Sequence, residues 1–319
     1  MNMKREISLK LGCVAFLLLG FAGLAWSAEP NTGTADQKLH AKESDIEIID
    51  THFHSKACTP DGLDLAREWM EVHGVSRIID HPIKESRPKN EAERTRMLEN
   101  YAKHEGKIER FTVIYPSEVD SVEEAVKILE KEKQDGAIGF GEHYGDGLMF
   151  DDAANMRLYA ACAKTSLPVM FHMDGGRNKD TADFKHLENA LKSHPQCMFI
   201  AHGPGWWKQL GSGHCSRLLE TYPNLYADLS AGSGARNLSK DKHYTTEFMK
   251  KHHKKLLFAT DCGWWSFEEM KKPAPQFALM RELELPEEVK ADIYHNNAKR
   301  LFGFKTHQIE SPELKDEEK

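Results

Sequence analysis

Ligand-type side chains recur along this chain at intervals of about thirty residues. The set begins with a histidine pair and continues at gaps of 88, 30, 30 and 59 positions: His52 with His54, Glu142, His172, His202 and Asp261. One β-strand and its return helix take about 30 residues, so the gaps correspond to three, one, one and two such units. The set therefore predicts strands 1, 4, 5, 6 and 8 of a repeating βα array, each with a ligand-type residue at its C-terminal end.

The apolar runs of the sequence indicate the same repeat. Most are continuous rather than alternating, as expected for strands covered on both faces. Eight runs predict strands, at 46–50, 76–80, 110–115, 137–141, 168–171, 198–201, 225–229 and 256–259. The clearest helical patterns between them are 63–73, 91–104, 122–132, 153–165, 184–194 and 245–253.

This alternation favours a closed barrel over an open, doubly wound sheet. The segment Gly139-Phe-Gly141 lacks the third glycine of a dinucleotide fingerprint and leads into Glu142 rather than into a helix, which argues against a Rossmann fold. We therefore expect an α/β chain with a single-domain (β/α)8 TIM barrel over residues 45–304.

The first 27 residues have the features of a secretory signal peptide. Lys4 and Arg5 precede an apolar stretch at 11–25, and a small-x-small site ends at Ser27. Those 15 residues are fewer than the ~20 that a membrane-spanning helix needs. The alternative is that the segment is not cleaved and anchors the protein to the membrane. We expect export to the periplasm or the medium with no stable membrane insertion after cleavage, a linker over 28–44 and a charged tail over 305–319.

Charge and cysteine content exclude other classes of partner and site. Without residues 1–27 the chain keeps 40 basic and 49 acidic residues, which argues against a nucleic-acid partner. The five remaining cysteines include no CxxC pair, so neither a disulfide framework nor a thiolate zinc site is indicated. A small-molecule substrate is expected, and a homo-oligomer is compatible with the sequence.

The motif Asp50-Thr-His-Phe-His54 supplies two candidate metal ligands. On an extended strand, His52 and His54 point to the same face while Phe53 points to the other. A pair of core or surface histidines is the alternative. The position of the motif just after an apolar run, together with the other members of the set, favours metal ligation.

Three further residues end apolar runs in the same way. His172 ends Leu-Pro-Val-Met-Phe-His172, and His202 ends Met-Phe-Ile-Ala-His202, one βα unit later. Alone, either would be an ordinary core histidine; together they indicate a third ligand and a neighbouring acid/base group or further ligand. Asp261 ends Leu-Leu-Phe-Ala-Thr-Asp261, where an unpaired carboxylate would be costly unless a metal or an activated water offsets that cost.

Taken jointly, these motifs resemble the metal-dependent amidohydrolase superfamily, in particular its amidohydrolase-related branch. They are Asp-Thr-His-Phe-His54, Phe-His172, Ala-His202-Gly, Ala-Thr-Asp261 and Ile-Tyr-His-Asn-Asn-Ala-Lys-Arg-Leu-Phe-Gly-Phe304. The resemblance implies that His52, His54 and His172 bind a divalent metal, zinc above all, together with Asp261. It also implies that His202 binds a second metal or polarises the substrate, and that Asp261 takes the proton of the attacking water.

Glu142 leaves the number of metal ions open. Two-metal members of this superfamily often carry a carboxylated lysine on the fourth strand, whereas relatives with glutamate there use it as a ligand. Gly-Phe-Gly-Glu142-His143 offers such a glutamate. The alternative is a carboxylate that contacts the ligands or the substrate, which leaves a site with one ion.

Residues that follow the strands are candidates for substrate contact. Arg177 and Arg236 suit a substrate carboxylate, although surface ion pairs are the commoner use of arginine. Trp206 lies in one of two paired-tryptophan loops, the other being Trp264-Trp265, which predicts either a wall of an apolar pocket or loops packed against each other.

These observations predict a metal-dependent hydrolase that activates water for attack on a small-molecule amide, ester or lactone carbonyl. The same branch contains decarboxylases and lactonases, so a decarboxylase or lactonase of a small carboxylated ring compound is the alternative. A binding protein without catalysis on the same barrel is a third hypothesis. Asp261 and His202 exceed what mere metal holding needs, which disfavours it.

Overall fold

Parallel strands alternate with helices along the part of the chain that this computed structural model describes, residues 46–263 and 272–304. The signal peptide, the linker and the tail expected at 1–27, 28–44 and 305–319 lie outside the described residues, as do Trp264 and Trp265. Within the described ranges, every helix is too short or too polar to cross a bilayer.

The strands form one parallel sheet. They are β1 (Ile49–His54), β2 (Arg77–Asp80), β3 (Ile108–Thr112), β4 (Ala137–His143), β5 (Val169–His172), β6 (Phe199–His202), β7 (Leu225–Asp228), β8 (Leu256–Leu257) and β9 (Cys262–Gly263). Their order in the sheet is β8-β7-β6-β5-β4-β3-β2-β1-β9, so each of β1 to β8 lies beside the next strand of the sequence. Because consecutive strands are parallel, the chain must return to the start of the sheet after each strand. It does so through a crossover helix on one side of the sheet.

Those crossovers are helical as predicted. The described α-helices are α1 (Gly62–His73), α2 (Glu91–Lys103), α3 (Val122–Gln134), α4 (Ala153–Thr165), α5 (Lys185–Ser193), α6 (Pro204–Trp207), α7 (His214–Thr221), α8 (Ala231–Leu238), α9 (Lys242–His252), α10 (Pro275–Glu282), α11 (Glu287–Ala291) and α12 (Asn297–Phe302). Side-chain caps begin several of them; Ser121, for example, accepts a hydrogen bond from the backbone N–H of Glu124 at the start of α3.

The sheet closes on itself because its two edge strands are adjacent in sequence. β8 pairs with β7, β9 pairs with β1, and only residues 258–261 separate them. Within that segment, the carbonyl oxygen of Phe258 accepts from the N–H of Thr51 at 3.0 Å, and the N–H of Asp261 donates to the carbonyl oxygen of His52 at 2.8 Å. The expected (β/α)8 architecture is confirmed, with β8 and β9 as two halves of one interrupted eighth strand.

Several strand boundaries differ from the prediction, and the difference at the end of β1 bears on the candidate site. The first strand was expected to end at Asp50, but β1 continues to His54. The polar residues after Asp50 look like a loop in sequence, whereas their backbone pairs with β2 and β9 on either side. The two candidate histidine ligands therefore lie on the strand itself.

The strand side chains divide into an inner and an outer layer. The inner layer fills the barrel with Ile49, Ile79, Phe111, Met170, Ile200 and Leu257, all buried. Phe53 belongs to the outer layer, where its ring packs 4.9 Å from that of Trp69 on α1. The register of β1 against β2 shifts between Asp50 and Phe53, and such a bulge re-aims the residues that follow.

Gly263 tests the closure of the barrel. Its φ is 141°, and a Cβ there would overlap the backbone carbonyl of His54, its partner across the β1–β9 pair. We expect Gly263→Ala to lower the free energy of unfolding by about 2–4 kcal/mol, because backbone must move to relieve the clash. Denaturant unfolding measures this.

Gly232→Ala is the matched control. Gly232 lies on α8 and a Cβ there meets no atom within 4 Å, so the substitution should be neutral or stabilise the protein by up to about 1 kcal/mol. Equal stability of the two variants would contradict the proposed role of Gly263.

Candidate metal centre

All six members of the histidine and carboxylate set meet at one end of the barrel. They come from the C-terminal ends of β1, β4, β5 and β6 and from the residue before β9: His52, His54, Glu142, His172, His202 and Asp261. Parallel strands deliver their C-terminal residues to a common mouth, which is how positions more than 200 apart come into contact.

The histidine pair of β1 and Asp261 form the first group of donor atoms. The Nε2 atoms of His52 and His54 lie 3.2 Å apart. Oδ1 of Asp261 lies 3.0 Å from Nε2 of His54 and 3.6 Å from Nε2 of His52. Asp261 has a φ of 60°, which is uncommon for a residue other than glycine, and its backbone bond to β1 keeps the carboxylate beside the pair.

Asp228, at the end of β7, holds the ring nitrogens that face away from this cluster. Its Oδ2 lies 3.0 Å from Nδ1 of His52, and its Oδ1 lies 3.2 Å from Nδ1 of His202. Burial raises the pKa of the Asp228 carboxyl, but the charges and hydrogen bonds of His202 and His52 outweigh burial and hold this pKa far below its usual range. An ionised Asp228 accepts hydrogen bonds from both Nδ1–H groups, which leaves each Nε2 with a lone pair.

The backbone just after β2 orients the third imidazole. Nδ1 of His54 donates to the carbonyl oxygen of His81 at 2.7 Å, so in the neutral form of His54 the lone pair lies on Nε2. Nε2 of His202 is buried and has no hydrogen-bond partner among the described residues. Lone pairs and carboxylates that converge in a buried space repel one another, and a bound cation relieves that repulsion. The donor set therefore fits a divalent metal.

Glu142 lies between two groups of donors. Its Oε1 is 2.6 Å from Nδ1 of His172 and 3.4 Å from Nε2 of His202. Its Oε2 is 3.4 Å from Nε2 of His54 and accepts a hydrogen bond from the Tyr144 hydroxyl at 2.9 Å. Three sets of three residues can hold an ion, each with its ligand atoms within 4.8 Å of one another: His52, His54 and Asp261; Glu142, His172 and His202; and His52, His202 and Asp228. The first two sets use only the residues predicted from the sequence, whereas the third includes Asp228.

The acids and imidazoles of this cluster also shift one another's protonation. Burial raises the pKa of Glu142, but hydrogen bonds with His172, His52 and His54 outweigh it and hold this pKa well below its usual range. Burial lowers the pKa of His54, yet hydrogen bonds with Asp261 and Glu142 raise it to about 9. Protons and a metal therefore compete for the same nitrogen atoms, and metal binding releases protons.

A second layer of contacts holds His172 at the mouth. Oδ2 of Asp174 lies 3.1 Å from Nε2 of His172. Nη1 of Arg177 donates to the same carboxylate oxygen at 2.6 Å, and the Arg177 guanidinium lies 4.6 Å from the centre of the Tyr144 ring. The sequence-predicted Arg177 thus lies beside a ligand, and its side chain remains 45% exposed.

The other two predicted substrate contacts lie elsewhere. Trp206 is fully buried, and its ring packs 5.0 Å from that of Phe184, so the structure places it in loop packing rather than at the mouth. The predicted pocket wall is therefore wrong for Trp206, and the alternative, packing between loops, is the one observed. The short helix α6 turns the ring into the outer core. Arg236 is exposed on α8, with no contact to the ligand set among the described residues.

Sequence reasoning missed Asp228 and Tyr144. Asp228 ends the apolar run Leu-Tyr-Ala-Asp228. A ligand-type residue at the end of an apolar run is the signal that identified Asp261, and the same signal would have identified Asp228. Tyr144 follows the end of β4 and carries no signal of its own. Its contact with Glu142 depends on the path of the chain after His143.

Comparisons with known proteins place this geometry in a family. The amidohydrolase family model matches residues 49–304. No curated protein sequence matches the chain significantly.

Several solved structures share the fold. A probable 2-pyrone-4,6-dicarboxylic acid hydrolase from Acinetobacter baumannii, solved with citric acid, is 13% identical, with a TM-score of 0.58 over 81% of this chain and 100% of that chain. A zinc-bound amidohydrolase from Burkholderia multivorans is 13% identical, with a TM-score of 0.53 over 81% and 100%. A manganese-bound 5-carboxyvanillate decarboxylase from Novosphingobium aromaticivorans is 11% identical, with a TM-score of 0.54 over 82% and 97%.

At these identities the solved structures show a common fold, not a common substrate. The family model covers the whole barrel, from the first residue of β1 to the end of the described chain. It includes every histidine and carboxylate of the candidate metal centre. The chain belongs to the amidohydrolase family.

Proposed function

We propose that this protein is a metal-dependent hydrolase that acts on an amide, ester or lactone carbonyl of a small molecule. The observation that carries the proposal is the convergence of three Nε2 lone pairs with the carboxylates of Glu142 and Asp261 at the barrel mouth. Asp228 and the carbonyl of His81 hold the ring nitrogens on the far side of these imidazoles, which orients the Nε2 atoms.

Zinc is the proposed cofactor, as one or two ions. The donor set consists of imidazole nitrogens and carboxylate oxygens without thiolates, which suits zinc. When bound, such an ion polarises a carbonyl group and makes water more acidic. Glu142 contacts members of both groups of donors, which supports the two-ion form of the site, in which Glu142 would be a ligand.

The proposed proton acceptor is Asp261. Its side chain is 26% exposed, whereas those of His52, Glu142 and His202 are almost fully buried, so Asp261 is open to both the ligand cluster and the mouth. His202 is proposed as a ligand rather than as a proton donor to the substrate. Its Nδ1 carries the proton bound to Asp228, so its Nε2 has none to give.

Arg177 is proposed to bind a substrate carboxylate. Asp174 and the ring of Tyr144 hold the guanidinium beside His172, and nearly half of the side chain is open to solvent. A planar guanidinium fixed in this way suits bidentate recognition of a carboxylate. The predicted contact of Arg236 with a substrate carboxylate stays a prediction, farther from the candidate ligands than Arg177.

Decarboxylation of a small carboxylated ring compound is the second candidate function. The specific observation in its favour is Arg177, because a cation at the mouth selects for a carboxylated substrate whichever bond is then broken. Incubation of the metal-loaded protein with aromatic acids and with lactones separates the two, since one reaction releases CO2 and the other does not.

Export and a partner other than nucleic acid are also proposed, and a homo-oligomer stays compatible with the sequence. Export is supported by the apolar stretch at 11–25, which follows Lys4 and Arg5. The excess of acidic residues supports a partner other than nucleic acid. Sequencing of the mature N-terminus tests cleavage after Ser27.

Two substitutions separate metal binding from catalysis. We expect His52→Ala to lose metal and activity together, because two of its contacts are to other donors of the cluster. We expect Asp261→Asn to lose about 100-fold or more in kcat while keeping most of the metal, because the amide still offers an oxygen but no longer accepts a proton. Elemental analysis and turnover of the same preparations measure both effects; full metal content in both variants would contradict the site.

Asp228→Asn tests the positioning of the imidazoles. His52 and His202 contact different oxygens of Asp228, and asparagine replaces one of those oxygens with an NH2 group that cannot accept. We therefore expect zinc affinity to fall by about 10–100-fold, as for other groups that orient ligands. Competition with a chelator measures the affinity. Asp292→Asn is the control, since Asp292 is a buried partner of His253 outside the cluster, at 2.8 Å, and should leave zinc affinity unchanged.

Arg177→Ala tests carboxylate recognition. Once a hydrolysed substrate is found, we expect KM to rise at least about tenfold for its carboxylated form and to change little for the uncharged analogue. Arg217→Ala is the control, because Arg217 is 43% exposed and also pairs with an acid, Glu188, away from the mouth. A similar rise in KM for both substrates would show that Arg177 acts on the fold instead.

A further inference from the structure

A cavity lies outside the candidate metal centre. It has a volume of about 590 Å3 and is lined by β3, by helices α2 and α3 and by residues of segment 82–89. None of its described lining residues is a member of the ligand set. The volume falls in the range of small-molecule sites, which is about 300–1,000 Å3.

Positive charge predominates on the wall of this cavity. The basic lining residues are Lys84, Arg87, Lys89, Arg94 and Arg110, against the two acids Glu118 and Glu132. Arg87 pairs with Glu118 at 2.6 Å, and Glu132 is shared by Arg94 and Arg110 at 2.7 and 2.8 Å. In the described part of the chain, no carboxylate lies within 4 Å of the ammonium group of Lys84 or Lys89. These two lysines therefore leave a net positive charge at the cavity.

Arg110 adds a buried donor. Only 4% of this residue is exposed, and its two terminal nitrogens bind Glu132 and the carbonyl oxygens of Glu132 and Asp135. Its Nε is buried and has no hydrogen-bond partner among the described residues. Because this Nε has almost no accessible surface, a charged molecule in the cavity would meet Lys84 and Lys89 rather than Arg110.

The remaining wall is apolar. Met97, Val113 and Ile114 are buried, and Ile128 is one of few large apolar side chains that the structure leaves exposed. A molecule that satisfies both kinds of wall has an anionic group and an apolar body. Inorganic anions satisfy only the basic wall, and neutral hydrocarbons only the apolar one.

We infer that this cavity is a binding site for an amphipathic organic carboxylate, with the carboxylate towards Lys84 and Lys89 and the apolar part against Met97 and Ile128. The inference does not depend on the proposed hydrolase activity, because the cavity and the metal centre share no described residue. It concerns binding alone.

Octanoate is the probe, titrated by calorimetry into the full-length, metal-loaded protein. We expect one octanoate per chain at this site, with acetate and 1-octanol each binding at least about tenfold more weakly, because each lacks one of the two parts. The double substitution Lys84→Ala/Lys89→Ala should weaken octanoate binding at least about tenfold. Lys185→Ala/Lys208→Ala removes the same charge from two exposed lysines outside the cavity and should leave binding unchanged.

Two further titrations separate this cavity from the barrel mouth. Octanoate affinity should be the same after a chelator has removed the metal, and the same in Arg177→Ala. Loss of binding in either case would assign octanoate to the metal centre and overturn the inference. Equal affinity of the Lys84→Ala/Lys89→Ala variant and the unsubstituted protein, or equal affinity for acetate and octanoate, would also overturn it. Failure of the hydrolase proposal would leave these results unchanged.

Discussion

The hydrogen bonds of the Asp50 carboxylate underlie both the closed barrel and its metal centre. Asp50 is fully buried on β1, and its carboxylate accepts from the backbone and the hydroxyl of Thr260 at 2.9 and 2.5 Å. It also accepts from the backbone N–H of His52 at 3.1 Å. One side chain thus joins the first strand to the segment that closes the sheet, and this places Asp261 beside His52 and His54.

The candidate ligands depend in turn on groups outside the set of six. Asp228 contacts Nδ1 of both His52 and His202, and the carbonyl of His81 accepts a hydrogen bond from His54. Asp174 contacts Nε2 of His172. These contacts choose which nitrogen of each ring bears the proton and point the lone pairs at a common space. The packing of the barrel holds these groups together although their lone pairs repel one another. A bound cation would relieve that repulsion, so the site favours a cation.

Sequence reasoning reached the barrel and the six ligand candidates because strand periodicity and strand-end residues are local signals. It placed the end of β1 four residues early, since Thr51 to His54 look polar until their pairing with β2 and β9 is known. It left Trp206 either in a pocket wall at the mouth or in packing between loops, and the ring packs on Phe184. The packing partners of a loop aromatic lie on other elements, so its exposure is not a local property.

The sequence by itself determined the alternation of strand and helix, the family, and the residues that supply nitrogen and oxygen donors. Each of these follows from residue spacing or from short motifs, which are local properties of the chain. Only the tertiary structure decided which donors share a group, that Glu142 lies between the two groups, and that Arg177 rather than Trp206 stands at the mouth. The physical reason is separation along the chain. Asp228 meets His52 across 176 positions, and such contacts exist only once the sheet has closed.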